Sequence, residues 1–255
     1  MPRTSNRFGG THSFRIKGGF HEQYNEANSF RAVDVSFKLM NIFLQGSSGV
    51  GKSYLLRKAL NPYVEAICGF VAQQIRENGV KIGFRTVTLG RGFLSPEGFS
   101  SPEGLPSLEG FPSPEAEYVP GLAGVFILRG RYDISVLDHA ILHVERESHN
   151  PRCKLVLLDE IGGIELNSQI FTDALKRMLS SEIPITGVFK SYENLSHTVT
   201  KLDLNQDYFA MHAELETLIR NRGELITLTE ENRAESYRYL TERLYPILCD
   251  KGESS

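Results

Sequence analysis

The sequence lacks an excess of charge of either sign, a pairing pattern among its cysteines, and any long hydrophobic run. Its 255 residues carry 28 Lys and Arg against 31 Asp and Glu, for a formal net charge of −3. This near balance excludes a general attraction to nucleic acid or to an acidic membrane surface, so nucleic acid is not an expected partner. Hydrophobic residues make up 40% of the chain, which is enough to predict one sizeable folded core.

Three cysteines, Cys68, Cys153 and Cys249, lie far apart and form no C-x-x-C pair. Their spacing fits neither a zinc site nor a disulfide framework, and it predicts separate reduced thiols. No hydrophobic run in the sequence approaches the ~20 residues that a membrane span needs. The basic N-terminus is not followed by the apolar segment of a secretory signal. We therefore predict a cytoplasmic protein without a membrane partner.

Three segments differ in composition from the rest of the chain. Residues 1–39 are rich in glycine and polar side chains without a clear period, which predicts a weakly structured N-terminal extension; Met40 offers an alternative start. Residues 95–116 carry a hexapeptide repeat of Ser, Pro or Leu, and Glu. This repeat is too rich in proline and glycine to pack as helix or sheet, so we expect a surface loop that is a candidate contact for a protein partner. Residues 251–255 are a predicted disordered tail.

The predicted domain, residues 40–250, alternates apolar strands with amphipathic helices. "MNIFLQG" is a predicted strand, and "KSYLLRKALNPYVEAI" after it is one predicted helix. Two alternating runs joined at Asn78-Gly79 predict a β-hairpin. Another predicted helix starts after an N-cap at Ser168, and a later one ends at Gly223. The pattern indicates the α/β class, with a mostly parallel sheet, helices on both faces, the hairpin and the loop insert.

The first predicted strand is followed by "GSSGVGKS", which matches the pattern GxxxxGK[ST] at every fixed position. Glycines let the backbone turn its N–H groups towards phosphate oxygens, and the helix that follows adds its N-terminal dipole. We expect Lys52 to reach the β- and γ-phosphates and Ser53 to ligate Mg²⁺. The predicted phosphate-binding residues are Gly46, Ser47, Ser48, Gly49, Val50, Gly51, Lys52 and Ser53.

A second informative stretch, "LVLLDE", ends a predicted buried strand with two carboxylates. Asp159 is expected to hold the Mg²⁺ shell. Glu160 is expected to orient and deprotonate an attacking water, and so to act as a catalytic residue with Lys52. The alternative is a pair of acids that only end a strand and cap a turn. A kinase would need an acceptor pocket instead of a base for water, so the pair favours hydrolysis.

Six motifs occur in an order that resembles the P-loop nucleoside-triphosphatases of thermophiles and their cancer-related human relative: GSSGVGKS, RTVTL, GRYDISVLD, LLDEIGGIEL, LIRNR and TEENR. The resemblance covers about residues 40–248 and is interrupted at the hexapeptide insert. It implies a RecA-like domain that uses Mg²⁺ and hydrolyses nucleoside triphosphates of several bases to the diphosphate and phosphate. The family usually has Lys-Met after "DEIG", whereas this chain has Gly163-Ile164 and so lacks that cation.

Arginines are candidates for neutralising the charge that spreads over the γ-phosphate during transfer. Arg91, Arg129 and Arg131 lie in or near loops. Arg233 is the favoured nucleotide contact, because its motif matches the family and follows a predicted strand at the edge where parallel sheets bind ligands. The neighbouring Asn232 fits a helix cap and a base contact equally well.

Three functions remain in order of preference. The first is a Mg²⁺-dependent nucleoside triphosphatase acting on ATP, GTP and other nucleoside triphosphates. The second is a nucleotide or small-molecule kinase that uses the same phosphate loop. The third is a non-catalytic, nucleotide-dependent binding module that contacts a partner protein through the insert or the N-terminal extension.

Overall fold

A computed structural model describes residues 41–90 and 110–249. The predicted N-terminal extension, residues 95–109 of the insert, Arg91 and the predicted tail lie outside the described residues. Within these residues one sheet contains nine strands: β1 (Asn41–Gln45), β2 (Ile67–Glu77), β3 (Val80–Leu89), β4 (Glu115–Glu117), β5 (Val125–Leu128), β6 (Arg131–Tyr132), β7 (Leu155–Ile161), β8 (Ile185–Phe189) and β9 (Gly223–Thr227).

Six α-helices accompany the sheet in the described part of the chain. They are α1 (Lys52–Leu60), α2 (Ile134–Ser148), α3 (Gln169–Ser180), α4 (Tyr192–Leu202), α5 (Asp207–Arg222) and α6 (Arg233–Cys249). None of these helices is long and apolar enough to cross a bilayer.

The sheet has a parallel part and an antiparallel part. Strands β2, β7, β8, β1 and β9 lie side by side in that order and run parallel. Strands β3, β5 and β6 continue the sheet antiparallel beyond β2, and the short β4 pairs with β2. Strand β8 lies between β1, which leads into the phosphate loop, and β7, which carries Asp159 and Glu160. The loops after these three strands therefore meet at the carboxyl edge of the sheet, where ligands bind.

Helices cover both faces of the sheet, as the alternating pattern predicts. Phe43 of β1 packs into a core with residues of α2, α3, α4 and α5, whereas its neighbours Ile42 and Leu44 pack on the opposite face with α1 and α6. All three side chains are at most 1% exposed. A strand buried on both faces needs an unbroken apolar run, which is what Ile42-Phe43-Leu44 supplies.

Several local predictions are confirmed. The hairpin of β2 and β3 turns at Asn78 and Gly79, whose φ angles of 51° and 77° are both positive, as a two-residue hairpin turn requires. The Ser168 hydroxyl accepts a hydrogen bond from the backbone N–H of Phe171 and so caps α3. Helix α5 ends at Gly223, as predicted.

Other local predictions are wrong. The single helix expected after the phosphate loop stops at Leu60 and continues as a 3-10 turn from Asn61 to Ala66, because Pro62 has no N–H to extend the α-helix. The segment "GVFILRGRYDI" predicts one strand from its sequence, but it is divided into β5 and β6 by a turn at Arg129 and Gly130, both with positive φ. Helix α4 was not predicted.

The described end of the insert, residues 110–116, differs from the expected surface loop. Phe111 is only 6% exposed and packs in the core beneath α1 and α6. The carbonyl of Ser113 accepts a hydrogen bond from the Gln73 side chain, and β4 begins at Glu115. These residues are tied to β2, so this end of the insert belongs to the folded domain.

The cysteines also differ from expectation. Cys68 at the start of β2 and Cys153 just before β7 form a disulfide across 85 residues of sequence, with their Cα atoms 5.8 Å apart. The two strands are adjacent and parallel, so their first residues lie close together. Cys249 is a free thiol. The prediction of three reduced thiols is therefore corrected to one.

Candidate active site

The phosphate loop joins β1 to α1 and turns on glycines with positive φ: Gly46 (141°), Gly49 (82°) and Gly51 (97°). A Cβ atom on Gly46 would lie 2.5 Å from the carbonyl oxygen of Leu228, so a larger residue would collide with backbone. No side chain of the described residues caps the start of α1, and Ser48 at the crest of the loop is exposed. The first N–H groups of α1 are thus available to bind an anion.

Lys52 lies folded over the loop. Its Nζ donates hydrogen bonds to the carbonyl oxygens of Gly46 and Ser47 at 2.9 and 2.7 Å. The Asn194 amide of α4 donates to the same Gly46 carbonyl at 3.0 Å, and Val50 anchors the loop in the core at 6% exposure. Burial lowers the pKa of Lys52, although the nearby carboxylates oppose that shift. The loop is therefore held in a curled shape with its lysine beside it.

Ser53, Arg57 and Asp159 form a buried polar group below the loop. The Ser53 hydroxyl donates to Oδ1 of Asp159 at 2.6 Å, and Nη2 of Arg57 lies 2.9 Å from Oδ2. Burial raises the pKa of Asp159, while the Arg57 guanidinium and the Ser53 hydroxyl favour its charged form. Arg57 also donates to the carbonyl oxygens of Ala72 and Pro112 at 3.1 and 3.3 Å. This arginine therefore fixes the carboxylate to both β2 and the end of the insert.

Glu160 lies on a local irregularity of β7. The pairing of β7 with β8 shifts register between Leu158 and Ile161, and Glu160 between them has a φ of +74°. A positive φ is uncommon for a residue with a side chain and often marks a functional site. The carboxylate accepts a hydrogen bond from Nζ of Lys190 at 2.7 Å. This pairing is the main cause of a lowered pKa of Glu160, so the side chain is ionised at neutral pH.

Lys190 is held in place from several sides. Because β8 lies between β1 and β7, the residue that follows β8 falls between the phosphate loop and Glu160. The His212 ring donates from Nε2 to the Lys190 carbonyl at 2.7 Å and stacks on Phe189 with centroids 4.4 Å apart. Burial disfavours the charge on Lys190, but Glu160 outweighs this effect and raises its pKa.

Gly163, which stands where the family usually has lysine, lies close to the side chains of Lys190 and Glu165. A Cβ atom on Gly163 would lie 3.0 Å from Cε of Lys190 and 3.2 Å from a carboxylate oxygen of Glu165. Glu165 is buried, and it accepts a hydrogen bond from the backbone N–H of Gly163 at 2.7 Å, which shapes the turn after β7. Lys190 thus supplies a cation beside Glu160 in this chain.

Arg233 begins α6 next to the phosphate loop, as its predicted nucleotide contact requires. A Cβ atom on Gly51 would lie 3.7 Å from its Nε. The neighbouring Asn232 accepts from the backbone N–H of Thr229 at 2.8 Å and donates to the Thr227 carbonyl at 2.9 Å. Both ends of this amide bond to the turn before α6, and not to the N–H groups of the first helical turn that a helix cap would bind.

The other candidate arginines lie away from the loop. Arg129 donates two hydrogen bonds of 2.8 Å to the Glu77 carboxylate at the end of the hairpin. Arg131 is exposed in β6. Neither arginine hydrogen-bonds to the phosphate loop within the described residues. Of the candidate arginines that the structure describes, only Arg233 lies beside the loop.

Sequence reasoning missed three residues of this site. Arg57 follows Ser53 by four positions in a predicted helix, so the shared helix face was a signal for it. Lys190 lies near the end of "PITGVFKS", a segment that predicts a strand, but its partner lies 30 residues away in sequence. Asn194 lies on the helix that was not predicted, and its contact with the loop spans 148 residues.

These residues converge on one edge of the sheet with complementary chemistry. Backbone N–H groups and Lys52 can bind phosphate oxygens, while Ser53 and Asp159 offer two oxygen ligands. Within residues 41–90 and 110–249 no three His, Cys, Asp or Glu side chains cluster as a preformed metal centre.

Comparisons with known proteins identify the family of the chain. A family model described as NTPase matches residues 41–106 and 122–240. The chain is similar to nucleoside-triphosphatase THEP1 of Thermotoga petrophila, with 30% identity over 85% of this chain and 97% of that protein. It is also similar to THEP1 of Methanopyrus kandleri, with 30% identity over 66% of this chain and 81% of that one.

Two further relatives are more distant or shorter in their match. The human cancer-related nucleoside-triphosphatase is 32% identical over 55% of this chain and 70% of that protein. The crystal structure of THEP1 from Aquifex aeolicus superposes with a TM-score of 0.48 and 19% identity, over 79% of this chain and 96% of that one. The matched family model covers more than half of the residues, and the chain therefore belongs to the NTPase family of nucleoside-triphosphatases that its motifs resemble.

Proposed function

We propose that the protein is a Mg²⁺-dependent nucleoside triphosphatase that hydrolyses ATP, GTP and other nucleoside triphosphates to the diphosphate and phosphate. Family membership makes it a nucleoside-triphosphate phosphohydrolase. The observation that carries the finer proposal is the position of Glu160. Its carboxylate is ionised and its backbone φ is positive. It directly follows Asp159 and lies at the same sheet edge as the phosphate loop.

The proposed substrate contacts follow from the loop. The N–H groups of residues 46–53 would bind the β- and γ-phosphates. Lys52 would give up its hydrogen bonds to the two loop carbonyls and donate to phosphate oxygens instead. Arg233 would lie along the bound phosphates, since its guanidinium is next to Gly51. No base-reading residue is assigned, in keeping with a broad choice of nucleotide.

The proposed Mg²⁺ ligands are the Ser53 hydroxyl and the Asp159 carboxylate. Both are hard oxygen donors, and they already converge at 2.6 Å. Mg²⁺ in proteins commonly takes one or two such ligands together with water and substrate phosphates, so the residues present fit this ion. When bound, Mg²⁺ would offset negative charge on the β- and γ-phosphates. Arg57 holds the Asp159 carboxylate from the opposite side.

Glu160 is the proposed base for water. Its carboxylate would accept the proton of the attacking water, whose oxygen forms a bond to the γ-phosphorus while the bond from phosphorus to the β–γ bridging oxygen breaks. Lys190 keeps the carboxylate ionised and fixes its direction. A module that only binds nucleotide would need no such base.

The decisive experiment measures phosphate release from a panel of nucleoside triphosphates with Mg²⁺ and without an acceptor. Wild type should turn over, whereas Glu160→Gln should still bind nucleotide but lose about 10²–10⁴-fold in kcat. The control is Glu214→Gln, a change of the same type on an exposed face of α5. Nucleotide binding without phosphate release in wild type would overturn the proposal.

A further inference from the structure

A cleft of about 510 Å³ lies at the carboxyl edge of the sheet, beside the proposed active site. Its walls are the start of β3, the turn after β5, and α4. Strand β3 starts at the edge of the sheet where β2 ends, and β5, which runs antiparallel to β3, ends at that edge. The start of β3 and the turn after β5 therefore lie at the same edge as the phosphate loop. The cleft is separate from the phosphate loop, none of whose residues line it.

Helix α4 connects the two places. Asn194, Thr198 and Lys201 follow at intervals of four and three residues, so they share one face of the helix. Asn194 contacts the phosphate loop at Gly46, whereas Thr198 and Lys201 line the cleft. With a rise of 1.5 Å per residue, Lys201 lies about 10 Å along the helix from Asn194. The cleft is therefore about two helical turns from the loop.

The lining of the cleft carries an excess of positive charge. It includes Lys81, Arg129 and Lys201 but no acidic residue. Arg129 is paired with Glu77, which lies outside the lining. Lys201 is exposed and has no carboxylate partner among the described residues. Lys81 and Lys201 thus offer positive charge to an anion that enters the cleft, and Lys81 also interacts with the charge of Glu160.

Apolar side chains make up the rest of the walls. Phe84 on β3, Ile127 on β5 and Leu202 on α4 line the cleft, and Phe84 and Ile127 are cross-strand partners. The ammonium group of Lys81 lies 4.1 Å from the centroid of the Phe84 ring, which holds this cation at the wall. The cleft therefore combines a cationic rim with surfaces that can cover a flat ring.

We propose that this cleft binds a small phosphomonoester that carries a flat ring, the chemistry of a nucleoside monophosphate. The phosphate would lie between Lys81 and Lys201, and the ring would pack against Ile127 and Leu202. The volume is within the range of small-ligand pockets, which is ~300–1,000 Å³. The ligand is distinct from the triphosphate on the phosphate loop, so the inference does not depend on hydrolysis.

The test uses the full chain with its phosphate loop filled by Mg²⁺ and a non-hydrolysable ATP analogue. Uridine monophosphate is then titrated by isothermal calorimetry, with uridine and ribose 5-phosphate as separate probes. One site per chain should bind the monophosphate, and both probes should bind more weakly because each lacks one of the recognised parts. Lys201→Ala and Lys81→Ala should each weaken binding about tenfold or more, as expected for loss of a charged hydrogen bond.

Lys176→Ala is the matched control, since Lys176 is an exposed lysine on α3 paired with Glu214. It should leave monophosphate binding unchanged, and Lys201→Ala should leave hydrolysis in the absence of monophosphate unchanged. The proposal is wrong if the monophosphate does not bind while the phosphate loop is filled. It is also wrong if monophosphate binding is unchanged in both cleft variants but lost in Lys52→Ala. If the protein binds the monophosphate through Lys201 but does not hydrolyse nucleoside triphosphates, this inference stands and the proposed function is wrong.

Discussion

Arg57 and Asp159 form an ion pair that is buried on both sides. Nη2 lies 2.9 Å from Oδ2, and the two side chains are only 7% and 3% exposed. Removal of one partner from such a pair leaves the other charged and without compensation, which usually costs far more than loss of an exposed pair.

Arg57→Met should therefore lower the free energy of unfolding by about 3–5 kcal/mol, measured by urea denaturation. The double variant Arg57→Met/Asp159→Asn should lose less than the sum of the single variants, because no charge is left unpaired. Arg177→Met is the control, since its pair with Glu145 is exposed on the arginine side and should contribute only ~0–1 kcal/mol. A small effect at Arg57, equal to that at Arg177, would contradict this assignment.

Lys190→Met should move the acidic limb of kcat/KM to higher pH. Lys190 is the main cause of the lowered pKa of Glu160, so its loss lets the carboxylate take up a proton at a higher pH than in wild type. Lys190→Arg keeps the positive charge and should move the limb much less. If the acidic limb stays in place in Lys190→Met, the group that titrates is not Glu160.

His212 should make the fold less stable as the pH falls. Its burial lowers the pKa of the ring, so below its ordinary pKa of about 6.5 the unfolded chain binds a proton that the native state does not. The contribution is fully present above that value and is lost as the pH drops towards the folded pKa. Denaturation between about pH 7.5 and 5 should show this slope in wild type and a smaller one in His212→Gln. His139→Gln, at an exposed ring on α2, is the control.

The two ends of the insert should respond differently to deletion. Replacement of residues 95–109 by a short Gly/Ser linker should leave phosphate release intact. Extending the deletion to residue 116 removes Phe111, Ser113 and part of β4, and loss of a buried phenylalanine alone costs ~3–5 kcal/mol. Thermal denaturation of both variants separates the outcomes. Equal stability of the two would show that residues 110–116 are not part of the core.

Features set by neighbouring residues were readable from the sequence. The hairpin turn at Asn78 and Gly79, the cap at Ser168 and the phosphate loop each depend on residue types within a few positions. The alternating apolar strands and helices likewise predicted a parallel sheet covered on both faces.

Features set by distant contacts were not readable. The pairing of Lys190 with Glu160 depends on β8 lying between β1 and β7, which is decided by the packing of the whole sheet. The Cys68–Cys153 disulfide likewise follows from the adjacency of β2 and β7. The end of α1 is a different case, because Pro62 acts on its own helix and this effect could have been predicted from the sequence.

The disulfide makes the chain topologically a ring with two tails. The ring runs from Cys68 to Cys153 and contains the hairpin, the whole insert and two of the three walls of the cleft. A protease that cuts once between residues 95 and 109 would thus open the ring without releasing a piece. The two fragments would migrate together on a non-reducing gel and separate only after reduction.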